Sequence, residues 1–155
     1  MAVVIRAATA DDVDGVVVSV AALFAEDGAT RDRLRNPDWP ALEGRDWCSG
    51  LMADPAVLVV VAAAGSEVLG HLVGTYTEAS PMWLGVRAEL VSMFVDPRVR
   101  GEGIGSRLVE HFRDWARDRG AVRIHVEAYA ANEAALRFYR RQGFAPLSEK
   151  LAADL

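Results

Sequence analysis

The tightest constraint on this chain lies between residues 88 and 117. An apolar stretch, "AELVSMFV" (88–95), runs into "DPRVRGEGIGS" (96–106), and a helical pattern begins at the end of that turn. Ile104, Leu108, Val109, Phe112, Trp115 and Ala116 recur at spacings of three and four, while Arg107, Glu110, Arg113, Asp114 and Arg117 fill the other face. A strand that passes through a glycine-rich turn into an amphipathic helix belongs to an α/β architecture. The turn places glycines at 101, 103 and 105. Each costs about 0.5–1 kcal/mol relative to Ala in ordered structure, so the backbone there either bends as other residues cannot or is approached closely.

The flanking pattern extends the frame. Residues 88–95 are apolar on both faces, which predicts a strand covered on both sides in the middle of a sheet. Upstream, "AVVIRA" (2–7) is a short β-branched run, and Thr9 before "ADD" forms a capping-box-like start for a helix that stops near Gly28. Residues 30–54 read as a loop and a second helix. "AVLVVVAAAGSEVLGHLVGTY" (56–76) is an antiparallel hairpin turned at Ala64–Gly65–Ser66. In "AVRIHVEA" (121–128), Val122, Ile124 and Val126 alternate inward against Arg123, His125 and Glu127, the period of a strand. "NEAALRFYRRQGF" (132–144) begins at Asn132, a good N-cap, and closes at Gly143, a good C′ residue. The tail "APLSEKLAADL" is expected to add a last strand. The order β, α, α, β, β, β, α, β, α, β predicts a mixed sheet with helices on both sides, in a single domain spanning 1–155.

Composition narrows the function. The formal net charge is −5, which argues against nucleic acid and anionic membrane as partners, because phosphate backbones select a basic footprint. Cys48 is the lone cysteine, so no internal disulfide forms, and His71, His111 and His125 lack zinc-ligand spacing. No secretory leader or membrane-length apolar run is recognisable, and a cytoplasmic location is expected. A strand ending near Val95 followed by a glycine turn and a helix N-terminus makes an anion site. The nearest lysine is Lys150, so a nucleotide P-loop ending in Gly-Lys-Ser/Thr is absent, and the alternating glycines do not fit a dinucleotide fingerprint.

"VDPRVRGEGIGSRLVEH" (95–111) resembles the acyl-CoA signature of the GNAT N-acetyltransferase superfamily, R/Q-x-x-G-x-G/A, matched by Arg100, Gly103 and Gly105. "NEAALRFYRRQGF" is similar to the family's C-terminal motif: an Asn near a helix start, a Tyr seven positions on, and a closing Gly-Phe. Two motifs in family order, over about residues 88–145, are more specific than a glycine run. The resemblance implies the GNAT fold, a mostly antiparallel sheet of six to seven strands flanked by about four helices, with two parallel strands splayed at the cofactor site. It implies acetyl-CoA as co-substrate. The amides of Gly101, Glu102, Gly103, Ile104, Gly105 and Ser106 would hold the diphosphate, with Arg100 opening the turn. The pantetheine arm would pair with the backbone of Met93, Phe94 and Val95.

Each residue also has a structural reading. The glycines make a tight turn, although three exceed what a turn needs. Tyr139 is either a half-buried aromatic or the acid that protonates departing CoA thiolate, a phenol near pKa 10 matching a thiol of comparable basicity. Asn132 is a helix cap or a contact for pantetheine or a water. Glu89, a carboxylate in an apolar strand, either sits at a wet edge, pairs with an arginine, or is a desolvated general base, as the resemblance implies for the place eleven positions before the signature Arg. His125 and Glu127 are alternative bases. Glu26, Asp27 and Asp32, with Trp39, Trp47, Tyr76 and Trp83, are either helix ends and core or the lining of a cleft for a cationic acceptor.

The expected activity is transfer of acetyl from acetyl-CoA to a primary amine of a small molecule or peptide, by direct attack in a ternary complex. Cys48 has no neighbouring His or Asn to activate it for a covalent route. A non-catalytic acyl-CoA sensor of the same fold is the rival, and an unrelated helix-N-terminal phosphate binder a more distant one. A homodimer remains open.

Overall fold

The computed structural model of the protein describes residues 2–155. Short β-branched runs pair in chain order: β1 (Val4–Ala7), β2 (Val57–Ala64), β3 (Glu67–Thr77), β4 (Arg87–Val95) and β5 (Arg123–Val126) form one sheet in the order β1-β2-β3-β4-β5. The first three pairings are antiparallel, and β4 pairs with β5 in parallel. The hairpin between β2 and β3 turns at Gly65, where φ is +59, a conformation glycine reaches without Cβ strain. α1 (Val13–Thr30) and α2 (Trp39–Ala53) cover one face, packing Val13, Val16, Val20 and Cys48 on Val61 and Ala63. α3 (Ile104–Asp118) covers the other, burying Leu108, Val109 and Phe112 against Leu58, Val60, Leu72, Ala88 and Leu90, and α4 (Glu133–Arg141) adds Phe138 and Tyr139 at its margin. α1 begins where expected: the Asp12 carboxylate accepts from the Thr9 backbone at 2.7 Å and from Arg6 at 2.6 Å. The arginine and these hydrogen bonds hold the Asp12 carboxyl at about 2. No helix among the described residues is long and apolar enough to cross a membrane.

Three expectations are corrected. The sheet has five strands rather than six to seven, because residues 145–155 form no strand. That tail contains Pro146, has no β-branched residue, and lies exposed along its length, tethered by Lys150 to Glu127 at 3.5 Å and by Asp154 to Arg33 at 2.9 Å. β4 is not the middle of the sheet but the fourth strand, next to the short edge strand β5. In its first half only one face is sealed: Ala88 and Leu90 are buried under α3, while Glu89 and Val91 are exposed on the opposite side. Val122 lies just outside β5 and is exposed rather than inward.

Candidate active site

The pairing of β4 sets the site. β5 stays in register only from Arg87 to Leu90, opposite Arg123 to Val126, so the parallel strands part beyond that point. From Val91 to Val95 the side of β4 that faced β5 therefore carries no ladder partner. The β3–β4 register also shifts between Val73 and Gly74, which pair with Ser92 and Leu90, leaving Val91 as the extra residue of a β-bulge. A bulge bends its strand and re-aims the residues beyond it. Between the open edge of β4, the turn, the first turn of α3 and the inner face of α4 lies a cavity of about 560 Å³.

Each glycine of the turn has its own cause. Gly101 and Gly103 take φ of +83 and +80, the left-handed region that an L side chain enters at a cost of about 1–2 kcal/mol. A Cβ on either would meet nothing within 4 Å, so the space over both is open. Gly105 is helical, but a Cβ there would stand 3.2 Å from the Phe138 ring of α4. The turn itself therefore accounts for two of the three glycines, and the close contact with α4 accounts for the third. Among the described residues, no backbone N–H from Gly101 to Ser106 is spent on a backbone carbonyl. Gly101 and Gly103 to Ser106 line the cavity, and unspent amides at the start of α3 suit an anion. Asp96 shapes the approach, accepting from the Arg98 backbone at 2.9 Å, and Arg98 itself is held at the surface by Asp96 and Glu67.

Arg100 is engaged on the opposite wall. Its Nε donates to the Val95 carbonyl at 2.9 Å, its guanidinium lies 5.0 Å from the centre of the Phe94 ring, and its fork meets Glu26 of α1 at 3.0 Å. Glu26, Leu23 and Arg31 bring α1 and its C-terminal end into the cavity wall, and Arg141 adds a further cation from α4. Of the acidic residues weighed for an acceptor cleft, Glu26 lines this cavity, on the wall beside Arg100, while Leu23 and Arg31 carry no sequence signal for it.

On α4, Asn132 caps the helix by accepting from the Ala135 amide at 3.2 Å, while still lining the cavity. About two turns further, Phe138 and Tyr139 project from the same helix, and Tyr139 stands edge-on to Phe138 and Phe144. Burial pushes the Tyr139 phenol up to about 12, since desolvation penalises the phenolate. This departs from the near-10 match with a thiol that the sequence suggested. At neutral pH the phenol keeps its proton. α4 is locked to α3 by Gln142, whose side chain donates to the Ser106 hydroxyl at 2.9 Å and whose carbonyl accepts from Arg113.

Residues 14–144 match the family model described as the acetyltransferase (GNAT) family. The chain belongs to the GNAT family. Streptothricin acetyltransferase of Streptomyces lavendulae is 36% identical over 109 residues, covering 70% of this chain and 54% of that protein, so the alignment spans about half the length of that relative. A solved structure described as a transcriptional regulator from Bacillus halodurans C-125 superposes with a TM-score of 0.80 at 28% identity, covering 99% of this chain and 100% of that one. An aminoglycoside N-acetyltransferase solved in complex with CoA shares the fold, with a TM-score of 0.75 at 12% identity over 98% of each chain.

Eleven of the twelve residues that the GNAT resemblance assigns to the cofactor line this one cavity: Met93, Phe94, Val95, Arg100, Gly101, Gly103, Ile104, Gly105, Ser106, Asn132 and Tyr139. Glu102 is exposed and outside the cavity lining, leaving only its backbone in the turn. Glu89 also lies outside it. It is exposed, not desolvated, because it points to the face of β4 that α3 does not cover. There it shares a cross-strand row with Thr75 and His125. The His125 Nε2 is buried without a hydrogen-bond partner. Glu127 is exposed, 3.5 Å from Lys150. The other acceptor-cleft candidates divide. Tyr129 donates to Asp32 at 3.1 Å, joining the α1–α2 loop to the segment before α4. Asp27 pairs with Arg31 at 2.9 Å, Trp39 stacks on Phe24 and Trp47 meets Trp39 edge-on, so these serve packing and helix ends. Tyr76 packs on Trp115, and Trp83 lies under Arg87.

Proposed function

We propose that this GNAT chain transfers an acetyl group from acetyl-CoA to a primary amine, by direct attack of the neutral amine within a ternary complex. The observation that carries the reading is the single cavity where a parted strand edge, unspent turn amides and an α4 phenol converge. The residues fit a CoA thioester: an anion cradle at one end, an unpaired strand edge alongside, and a proton-bearing hydroxyl within. In this reading the amides from Gly101 to Ser106 hold the diphosphate, and Arg100 exchanges its Glu26 partner for a phosphate oxygen. The free edge of Met93–Val95 pairs with the amides of the pantetheine arm. Tyr139 donates a hydrogen bond to the sulfur as negative charge gathers there. Because its pKa is about 12 and a thiol's is near 8.5, stabilising that charge is its role rather than complete proton transfer. Glu89, exposed on the face of β4 that α3 leaves open, takes the proton of the attacking amine directly or through a solvent molecule.

Relatives named for streptothricin, an aminoglycoside and thialysine support an amine-bearing acceptor. The test is release of free CoA from acetyl-CoA across a panel of aminoglycosides, polyamines, amino acids and peptides. Turnover with at least one amine is expected, and Tyr139→Phe slows kcat about 10- to 100-fold, the worth of one hydrogen bond to a charged group, with CoA affinity held within twofold. Tight CoA binding without turnover on any amine would instead favour the acyl-CoA sensor.

A further inference from the structure

His71 stands in the middle of β3 among Leu72, Val73 and Val61, all fully buried, and is itself 0% exposed. A leucine would fill that place without desolvating a polar ring. The imidazole instead bridges two elements. Its Nδ1 lies 2.7 Å from the Ser19 hydroxyl of α1 and its Nε2 2.8 Å from the Ser92 hydroxyl of β4. Desolvation lowers its pKa to about 4, so it is a neutral ring that donates to one serine and accepts from the other.

The place where it reaches β4 lies next to the bulge and beyond the end of the β5 pairing. Ser92 follows the bulged residue Val91, where the ladder to β3 slips. On the other side, pairing with β5 has already ended at Leu90. Backbone hydrogen bonds thus hold this segment on one edge only, and its register with β3 starts afresh at Ser92, just past the bulge. Met93, next along, lines the cavity. The side-chain tie through His71 supplies the restraint that the ladder lacks, anchoring the segment to Ser19, which is buried in α1.

Resting on the acyl-CoA reading above, we propose that His71 is a positioning residue: through Ser92 it holds the bulged segment of β4 so that its free edge meets the pantetheine arm. It touches neither cofactor nor acceptor. The segment's order is pre-paid, so the arm binds a formed edge instead of ordering one.

The test separates the arm from the diphosphate. Calorimetry compares CoA with adenosine 3′-phosphate 5′-diphosphate, which retains the diphosphate but lacks pantetheine. The wild-type protein is expected to bind CoA the more tightly. Ser92→Ala, which removes only a hydroxyl, is expected to weaken CoA about fivefold, the value of one net hydrogen bond, and to leave the fragment within twofold. His71→Leu loses more of the CoA advantage, and His71→Gln, whose amide reaches one serine, recovers part of it. A purely structural role would lower Tm, or weaken both probes alike, and leave their ratio unchanged. That result overturns the inference while the acyl-CoA reading stands. If the wild-type protein binds neither probe, the acyl-CoA reading fails, and the inference with it.

Discussion

The turn from Arg100 to Ser106 and the middle of β4 border the same cavity but are built by opposite means. The turn offers peptide groups: two left-handed glycines and a helix start leave amides unspent beside open space. β4 is shaped by distant parts of the chain. Its free edge exists because β5 ends early, its bulge is set against β3, and its Ser92 is tied through His71 to α1. A backbone-built site is fixed by local conformation and is insensitive to remote change. A site held by long-range ties is exposed to any substitution along them.

That contrast can be broken at several points. The largest effect is expected in the turn. Gly103→Val forces a β-branched residue into φ near +80 and closes the open space over the amides, so CoA affinity should fall about 100-fold by calorimetry. Unchanged affinity would mean that those amides do not carry the diphosphate. Next comes the stability of the strand side. His71 titrates near 6.5 when unfolded and near 4 when folded, so the unfolded chain binds its proton first. Its contribution is complete above pH 6.5 and is lost as pH falls toward 4, by about 3 kcal/mol. Urea unfolding at pH 7 and pH 4.5 should register most of that loss, and His71→Leu should flatten the difference. An equally steep loss in the variant would place the acid sensitivity elsewhere. The smallest effect lies where the two regions meet. Glu26 holds Arg100 at 3.0 Å in a partly exposed pair, so Glu26→Gln frees the guanidinium and should tighten CoA about threefold at low salt, less at high salt. Weaker binding in that variant would make Glu26 a supporting contact rather than a competitor.

The different construction also explains what the sequence made legible. The turn and α3 stand out because glycine conformation, helix period and the signature spacing are all local, and the hairpin at Gly65 and the caps at Thr9 and Asn132 are legible for the same reason. For Glu89 the sequence left a wet edge, an arginine partner and a desolvated base open, and the wet position holds because only α3 covers this part of β4. The expected last strand failed since eleven residues without a β-branched side chain gained no partner. Glu26 and Arg31 reach the cavity through α1, far from the motif in sequence, and nothing in the spacing of 95–106 points to them.

By itself, the sequence determined the helices, the first five strands and the glycine turn of this GNAT chain, because those depend on φ, helix period and capping within a few residues. The tertiary structure alone decided where β4 loses its neighbour, which of its faces is wet, and that a histidine in β3 ties α1 to its bulge, because such facts depend on contacts between segments that the chain brings together only when folded.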